Sequence, residues 1–319
     1  MYSQSLSHHP SSYSVIGSGA IGSFIGGKLQ SIGCNVNYVA RSNYDALKQD
    51  GLTLKEDSKV THLDHINAFK KVEDLPKSDV YFITTKATSN DKLLPEIARH
   101  VPKDSLVVIV QNGIGAEEQA AKHIDEYHLF GAASYIKATE TQPGYVEQVS
   151  QKRLVVAPFK TTALNDTRTR QLFTQMKSDL LESCLPIDSG DTLPTIRWQK
   201  CLFNIPTSGM SVVLNKPMNE LVEGEHRDML MSSVKELIKV AQASGATFNE
   251  DEALNTITVT ADKFKNTDSC FPSMALDVKA GRPVELDALF IAPFKQAQAL
   301  HIATPLLDQQ IQSLQKLLA

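Results

Sequence analysis

The stretch VIGSGAIGSFIGG, residues 15–27, runs a short apolar segment straight into glycines spaced GxGxxG at Gly17, Gly19 and Gly22. That spacing describes a dinucleotide-binding turn. Gly17 permits the tight exit from a strand, Gly19 lets backbone approach a pyrophosphate, and Gly22 lets the following helix lie close on the sheet. The helix N-terminus then faces the phosphates with unpaired amides. Three glycines in six residues also occur in ordinary loops, so the surroundings decide. Residues 13–16 read as a strand, 20–31 as a helix, Gly33 as its stop, and 36–40 as a second, alternating strand. Gly17, Ser18, Gly19, Ala20, Ile21 and Gly22 are therefore the expected cofactor-binding turn.

The end of the second strand bears on which dinucleotide is used. A site selective for NAD places Asp or Glu roughly 20 residues past the glycines, on the ribose hydroxyls. Here the sequence is YVARSN, 38–43, with no acid before Asp45, and Arg41 and Ser42 occupy the slot. A guanidinium grips phosphate with paired hydrogen bonds, so the expectation is NADP(H), with Arg41 on the 2'-phosphate.

Further along, VYFITT (80–85) ends at Lys86, and LVVIV (106–110) ends at Gln111, Asn112 and Gly113. Both are short, fully apolar runs of the kind buried in parallel sheets, and 93–100 fits a crossover helix between them. Alternating strands and helices predict an α/β, doubly wound Rossmann-type sheet, with Gly17, Arg41, Lys86 and Asn112 at the carboxyl ends of four strands, where ligands gather. A small strand pair is expected within 52–66, further strands at 130–138, 144–148 and 154–157, and a helix over 162–181. The polar run DSGDTLP, 188–194, marks a boundary, beyond which amphipathic helical patterns dominate: 197–203, 222–244, 251–265, 284–301 with Pro293 interrupting, and 304–318. The expected organisation is a loose polar arm (1–11), a cofactor domain (12–190) and a helical domain (191–319).

Composition excludes several function classes. With 319 residues the chain suits two domains. Its formal charge of −4, with Lys and Arg scattered, argues against nucleic acid or an anionic membrane as partner. No apolar run approaches the roughly 18 residues needed to span a bilayer, and the first residues lack the basic and hydrophobic parts of a signal peptide. Cys34, Cys184, Cys201 and Cys270 lie far apart without CxxC pairing, which fits reduced thiols in the cytoplasm. His62 and His65 have no further ligands nearby, so no metal is expected.

In WQKCLFNIPTS, 198–208, Lys200, Asn204 and Ser208 fall four apart and share one face of a helix. The apolar neighbours Trp198, Cys201, Leu202 and Phe203 point to an enclosed segment, and Pro206 is expected to loosen or kink it. Moving a hydride onto a keto carbon builds negative charge on oxygen, and a nearby amine that can also surrender a proton answers both needs.

Taken together, the glycine turn, the strand end at Lys86, the Gln111–Asn112–Gly113 triplet, the lysine–asparagine helix and the later 273–285 stretch resemble the ketopantoate reductase (2-dehydropantoate 2-reductase) family, over nearly the whole chain from Tyr13. The resemblance implies an N-terminal Rossmann domain that binds NADPH, an all-helical domain of the 6-phosphogluconate dehydrogenase type, and reduction of ketopantoate to pantoate on the route to pantothenate and coenzyme A. Residue by residue, it implies that Lys200 is the general acid and that Glu285, in RPVELDALF, is the carboxylate approaching lysine and substrate. Asn204 would hold the substrate, Ser273, in FPSMALD, would contact its carboxylate, Asn112 would lie between cofactor and substrate, and Lys86 would lie near the cofactor.

Two departures bear on which keto acid is bound. Ser208 stands where the family commonly has a second asparagine, putting the expected substrate contact there in doubt. Leu289, Phe290 and Ile291 stand where an Asn-Gly pair is usual, which implies a bulkier apolar wall. Two alternatives stay open: a related reductase of another 2-keto or 3-hydroxy acid, and a cofactor-sensing protein without turnover. The helical domain is the candidate surface for a homodimer.

Overall fold

A computed structural model describes residues 11–318; the expected loose arm falls, apart from Ser11, outside them. The chain forms two compact units. One contains the described chain up to Thr85 together with Asp91–Gln111 and Glu117–Gly190, and the other contains Lys86–Asn90, Asn112–Ala116 and everything from Asp191.

The first unit is built on an eight-stranded sheet. In chain order its elements are β1 (Ser12–Ile16), α1 (Ala20–Gln30), β2 (Asn35–Val39), α2 (Tyr44–Gln49), β3 (Leu52–Glu56), β4 (Lys59–Leu63), β5 (Asn67–Phe69), β6 (Val80–Ile83), α3 (Asn90–His100), β7 (Leu106–Ile109), α4 (Ala116–Ala120), β8 (Leu129–Ser134), β9 (Ala138–Gln142), β10 (Tyr145–Gln148), β11 (Leu154–Pro158), α5 (Thr167–Glu182) and β12 (Ile187–Asp188). The main sheet runs β12-β11-β8-β7-β6-β1-β2-β5, and every pairing is parallel except β11 with β8. β6 and β7 are buried along their whole length, as strands flanked on both sides must be. Since β1 pairs with β2 on one side and β6 on the other, the strand order reverses at its carboxyl end, directly before Gly17.

The small strand pair extends into a second sheet, which the sequence reading did not separate from the first. Its order is β4-β3-β10-β9. The expected strand over 130–138 divides accordingly: β8 stays in the main sheet and β9 begins at Ala138 in the second. The physical reason is α1, which is covered on two faces. A Cβ at Gly26 would lie 2.5 Å from the Tyr38 ring of β2, and one at Gly27 would lie 2.8 Å from Leu54 of β3. Two adjacent glycines thus let the helix lie close to both layers at once.

The second unit is helical: α6 (Leu193–Leu214), α7 (Met218–Leu221), α8 (Gly224–Ala243), α9 (Glu250–Asp262), α10 (Ser273–Lys279), α11 (Ala292–Ala299) and α12 (Pro305–Leu318). α6 is its central rod, packed by α8, α10 and α12. It opens on a Thr192 cap that accepts the Thr195 N–H, with Pro194 in its first turn, and closes on Asn215 in the left-handed conformation. It runs much longer than the predicted 197–203, and it continues through Pro206, where a loosening or kink was expected. Burial of its flanks outweighs the lost amide, and Gln310 of α12 donates to the Pro206 carbonyl at 3.2 Å. The predicted helix over 284–301 also differs. Residues Asp287–Ile291 form a π-helical turn, in which the Ala292 N–H reaches back to Asp287, and Pro293 falls where α11 starts, needing no donor.

Candidate active site

In the first unit the glycine turn has the geometry of a phosphate cradle. Gly17 sits at φ +107°, and a Cβ there would lie 2.7 Å from the Thr85 amide nitrogen. At Gly22 a Cβ would meet the Gly17 carbonyl oxygen at 2.1 Å and Thr84 Oγ1 at 2.4 Å, so helix and strand could not close on any larger residue. Gly19 differs: its Cβ would meet no atom within 4 Å. As N-cap it supplies no side-chain acceptor, and the first turn of α1 holds no acid. Ser23 closes the first helical bond onto Gly19, which leaves the amides of Ala20, Ile21 and Gly22 without helical partners and suited to an anion.

Ser18 shapes this turn from within. Its buried hydroxyl donates to Asn43 Oδ1 at 2.7 Å, and its carbonyl accepts from Ser23 Oγ at 2.8 Å and from Asn43 Nδ2. Asn43 also donates to Glu140 at 2.8 Å, tying the turn to the segment after β2 and to β9. Sequence reading missed Asn43, and the only signal was an amide side chain two residues past Arg41. Arg41 and Ser42 are exposed at that strand end.

In the second unit the predicted catalytic residues form one hydrogen-bonded chain. Lys200 of α6 donates to Asn112 Oδ1 at 2.7 Å, Asn112 Nδ2 donates to Glu285 Oε2 at 3.3 Å, and the Ala87 amide donates to Glu285 Oε1 at 3.0 Å. Burial first, and then the Arg197 guanidinium one turn earlier, push the Lys200 amine down to about 8 against the opposing pull of Cys201 and Glu285. Arg197, itself buried, was not singled out from sequence, although its spacing of three from Lys200 places it on the same face.

Lys86 holds the loop before Glu285: its amine bonds the Asp277 carboxylate at 2.7 Å and the Pro283 carbonyl at 2.8 Å, and Arg282 binds the other Asp277 oxygen at 2.8 Å. The π turn places Asn112. Ala288, inside it, accepts the Ile114 N–H at 3.2 Å, and Gly113, at φ +84°, would put a Cβ 2.3 Å from that same carbonyl oxygen. A helix adjusted by one residue therefore docks the 112–116 segment beside Glu285, and π turns often occur at such places.

Asn204 lies one turn beyond Lys200, and its Oδ1 accepts from Ser208 Oγ at 3.0 Å. Ser208 is fully buried. Ser273 opens α10 after Pro272, exposed and without a side-chain hydrogen bond among the described residues. Of the residues expected to form an apolar wall, Leu289 and Phe290 are buried in the core of the helical unit, and Ile291 is half-buried and packs against that core. Among the described residues no group of three potential metal ligands occurs, and no helix is long and apolar enough to cross a membrane.

Sequence families bear on this arrangement. The family described as Ketopantoate reductase PanE/ApbA matches residues 13–161, and its C-terminal counterpart matches 193–317. The chain belongs to the ketopantoate reductase family. It is a 2-dehydropantoate 2-reductase-like oxidoreductase. A 2-dehydropantoate 2-reductase from Nostoc sp. is 28% identical over 92% of this chain and 91% of its own. The crystal structure of 2-dehydropantoate 2-reductase from Geobacter metallireducens superposes with a TM-score of 0.87 at 25% identity, covering 96% of this chain and 99% of that one. D-mandelate dehydrogenase, in a ternary structure with NADH and anilino(oxo)acetate, shares the fold with a TM-score of 0.84 at 21% identity, over 96% and 97% of the two chains. The family's fold, a parallel sheet followed by a helical domain, is the one described above.

Proposed function

We propose that this protein reduces ketopantoate to pantoate with NADPH, using Lys200 as the proton donor. The observation that carries the reading is the chain from Lys200 through Asn112 to Glu285. It holds an amine with a depressed pKa by a neutral acceptor, keeping its remaining protons available. In this reading residues 12–190 form the cofactor domain and 191–319 the substrate and catalytic domain. Residues 17–22 would hold the pyrophosphate and Arg41 with Ser42 the 2'-phosphate. A nicotinamide bound there would supply a hydride to the keto carbon. Lys200 stabilises the charge that develops on the carbonyl oxygen and delivers its proton there, so that C=O becomes CH–OH. Asn112 and Glu285 fix the amine, Asn204 holds the acid beside it, and Ser273 is the assigned hydroxyl for the carboxylate. The same reading makes the protein cytoplasmic and a homodimer through its helical domain, which light scattering would check.

A second reading, reduction of another 2-keto acid, is favoured by Ser208 standing where the family commonly carries asparagine and by a mandelate dehydrogenase among the structural neighbours. One assay separates the two. Purified protein is mixed with NADPH or NADH and with ketopantoate or other 2-keto acids, and loss of reduced nicotinamide is followed. Fast oxidation with ketopantoate and NADPH supports the first reading. Turnover only with another acid supports the second, and binding without turnover contradicts both.

A further inference from the structure

Lys200, Asn204 and Ser208 share a face of α6, but their surroundings differ. Lys200 and Asn204 are partly exposed, whereas Ser208 is 0% exposed, so its hydroxyl can meet a ligand only through a neighbour. That neighbour is the Asn204 carboxamide, whose oxygen accepts the Ser208 hydroxyl at 3.0 Å. A helical hydroxyl usually bonds the carbonyl four residues back, as Thr207 does with Phe203 at 2.6 Å. Ser208 instead spends its proton on a side chain.

The helix is held firmly at this point. Gln310 of α12 donates to the Pro206 carbonyl, and a Cβ at Gly209 would lie 2.8 Å from the Gln310 carboxamide carbon. Ser208 therefore stays put, and it fixes which way the amide faces. With Oδ1 occupied, Asn204 presents Nδ2 and its two N–H donors. Next to it stands the Lys200 ammonium, also a donor. Neither exposed position offers an acceptor.

We infer that Ser208 is a positioning residue: it locks the Asn204 carboxamide so that the stripe beside Lys200 presents N–H donors alone, selecting 2-keto acids that bring an oxygen lone pair to Asn204. This rests on the reading of Lys200 and Asn204 as substrate-facing groups. It departs from the expectation that Ser208 touches substrate itself. Without the hydroxyl the amide turns freely and offers its oxygen to the ligand part of the time, which costs one oriented hydrogen bond, a loss of roughly five- to tenfold in apparent affinity. Hydride and proton transfer at Lys200 are untouched.

The test compares wild type, Ser208→Ala and Ser208→Thr with NADPH and ketopantoate, alongside thermal melting and the side-chain amide spectrum of protein labelled with ¹⁵N-asparagine. The Asn204 signal is identified by its loss in Asn204→Ala. The inference expects KM for ketopantoate to rise five- to tenfold in Ser208→Ala with kcat within about threefold of wild type. It expects Ser208→Thr to restore KM, and the Asn204 amide signal to shift and broaden in Ser208→Ala only. An unchanged Asn204 signal in Ser208→Ala overturns it, as does a loss of kcat matched to a drop in melting temperature and equal in both variants. If wild type fails to turn over ketopantoate, the substrate reading fails by itself, and the amide spectrum still decides the role of Ser208.

Discussion

In the proposed reaction a single group, the Lys200 amine, carries most of the chemistry. An ordinary lysine loses its proton near 10.4, whereas this one titrates at about 8. Two consequences have opposite signs. For catalysis, kcat/KM of the reduction holds below pH 8 and falls about tenfold per unit above it, as the proton to be donated is lost. Arg197→Met, which removes a buried cation from the same helix face, moves that limb to higher pH, read from a pH–rate profile; an unmoved limb contradicts the assignment. For stability, the unfolded chain binds the Lys200 proton more tightly than the native one. Below pH 8 both states are protonated and the burial cost is fully present, and it is relieved as pH rises from about 8 towards 10.5. Lys200→Met therefore melts a few degrees higher than wild type at pH 7, and the gain shrinks to nothing above pH 10.5. The residue pattern around position 200 was legible because helical spacing alone puts 200, 204 and 208 on one face. What Ser208 does was not, since burial and the direction of a hydroxyl depend on how α12 packs.

Among the elements, the π turn at Asp287–Ile291 shows most clearly how a backbone irregularity serves the site. It frees the Ala288 carbonyl for Ile114, and only glycine at 113 allows that approach. Gly113→Ala would force a side chain into the left-handed region against a backbone oxygen, at a cost of order 1–3 kcal/mol. The expected outcome is a fall in kcat of at least tenfold, because Asn112 leaves its place between Lys200 and Glu285. Steady-state kinetics checks this, and wild-type kcat in the variant would show that docking does not position the chain. From sequence, residues 284–301 read as one helix because a π turn keeps apolar residues at nearly helical spacing. At Pro206 local propensity disfavours helix, yet α6 continues through it, packed among α8, α10 and α12.

For the whole molecule, the sequence and the fold agree best where glycine leaves no choice. Gly17 and Gly22 could be located from spacing because both are required by backbone contacts under 3 Å, and the buried strands β6 and β7 announce themselves as unbroken apolar runs. Strands within the second sheet were expected, but that they form a separate sheet was not legible, since β3 and β10 pair across more than 80 residues of chain, as Thr53 does with Tyr145. Ligand linkage tests the cofactor assignment without requiring turnover. A dinucleotide at 100 times its Kd stabilises the native state by about 2.7 kcal/mol. NADPH should raise the melting temperature of wild type by several degrees, and Arg41→Ala should lose most of that shift with NADPH while keeping whatever shift NADH gives. Equal losses with both cofactors would remove phosphate recognition from Arg41.

The central claim is that the residue 200 amine protonates a keto acid as it is reduced, and the direct measurement is the rate of NADPH oxidation by ketopantoate in wild type and Lys200→Ala, with NADPH binding measured in parallel. The account predicts a fall in turnover of roughly 10² to 10⁴ with nearly unchanged NADPH affinity. Turnover within a few-fold of wild type in Lys200→Ala would contradict it.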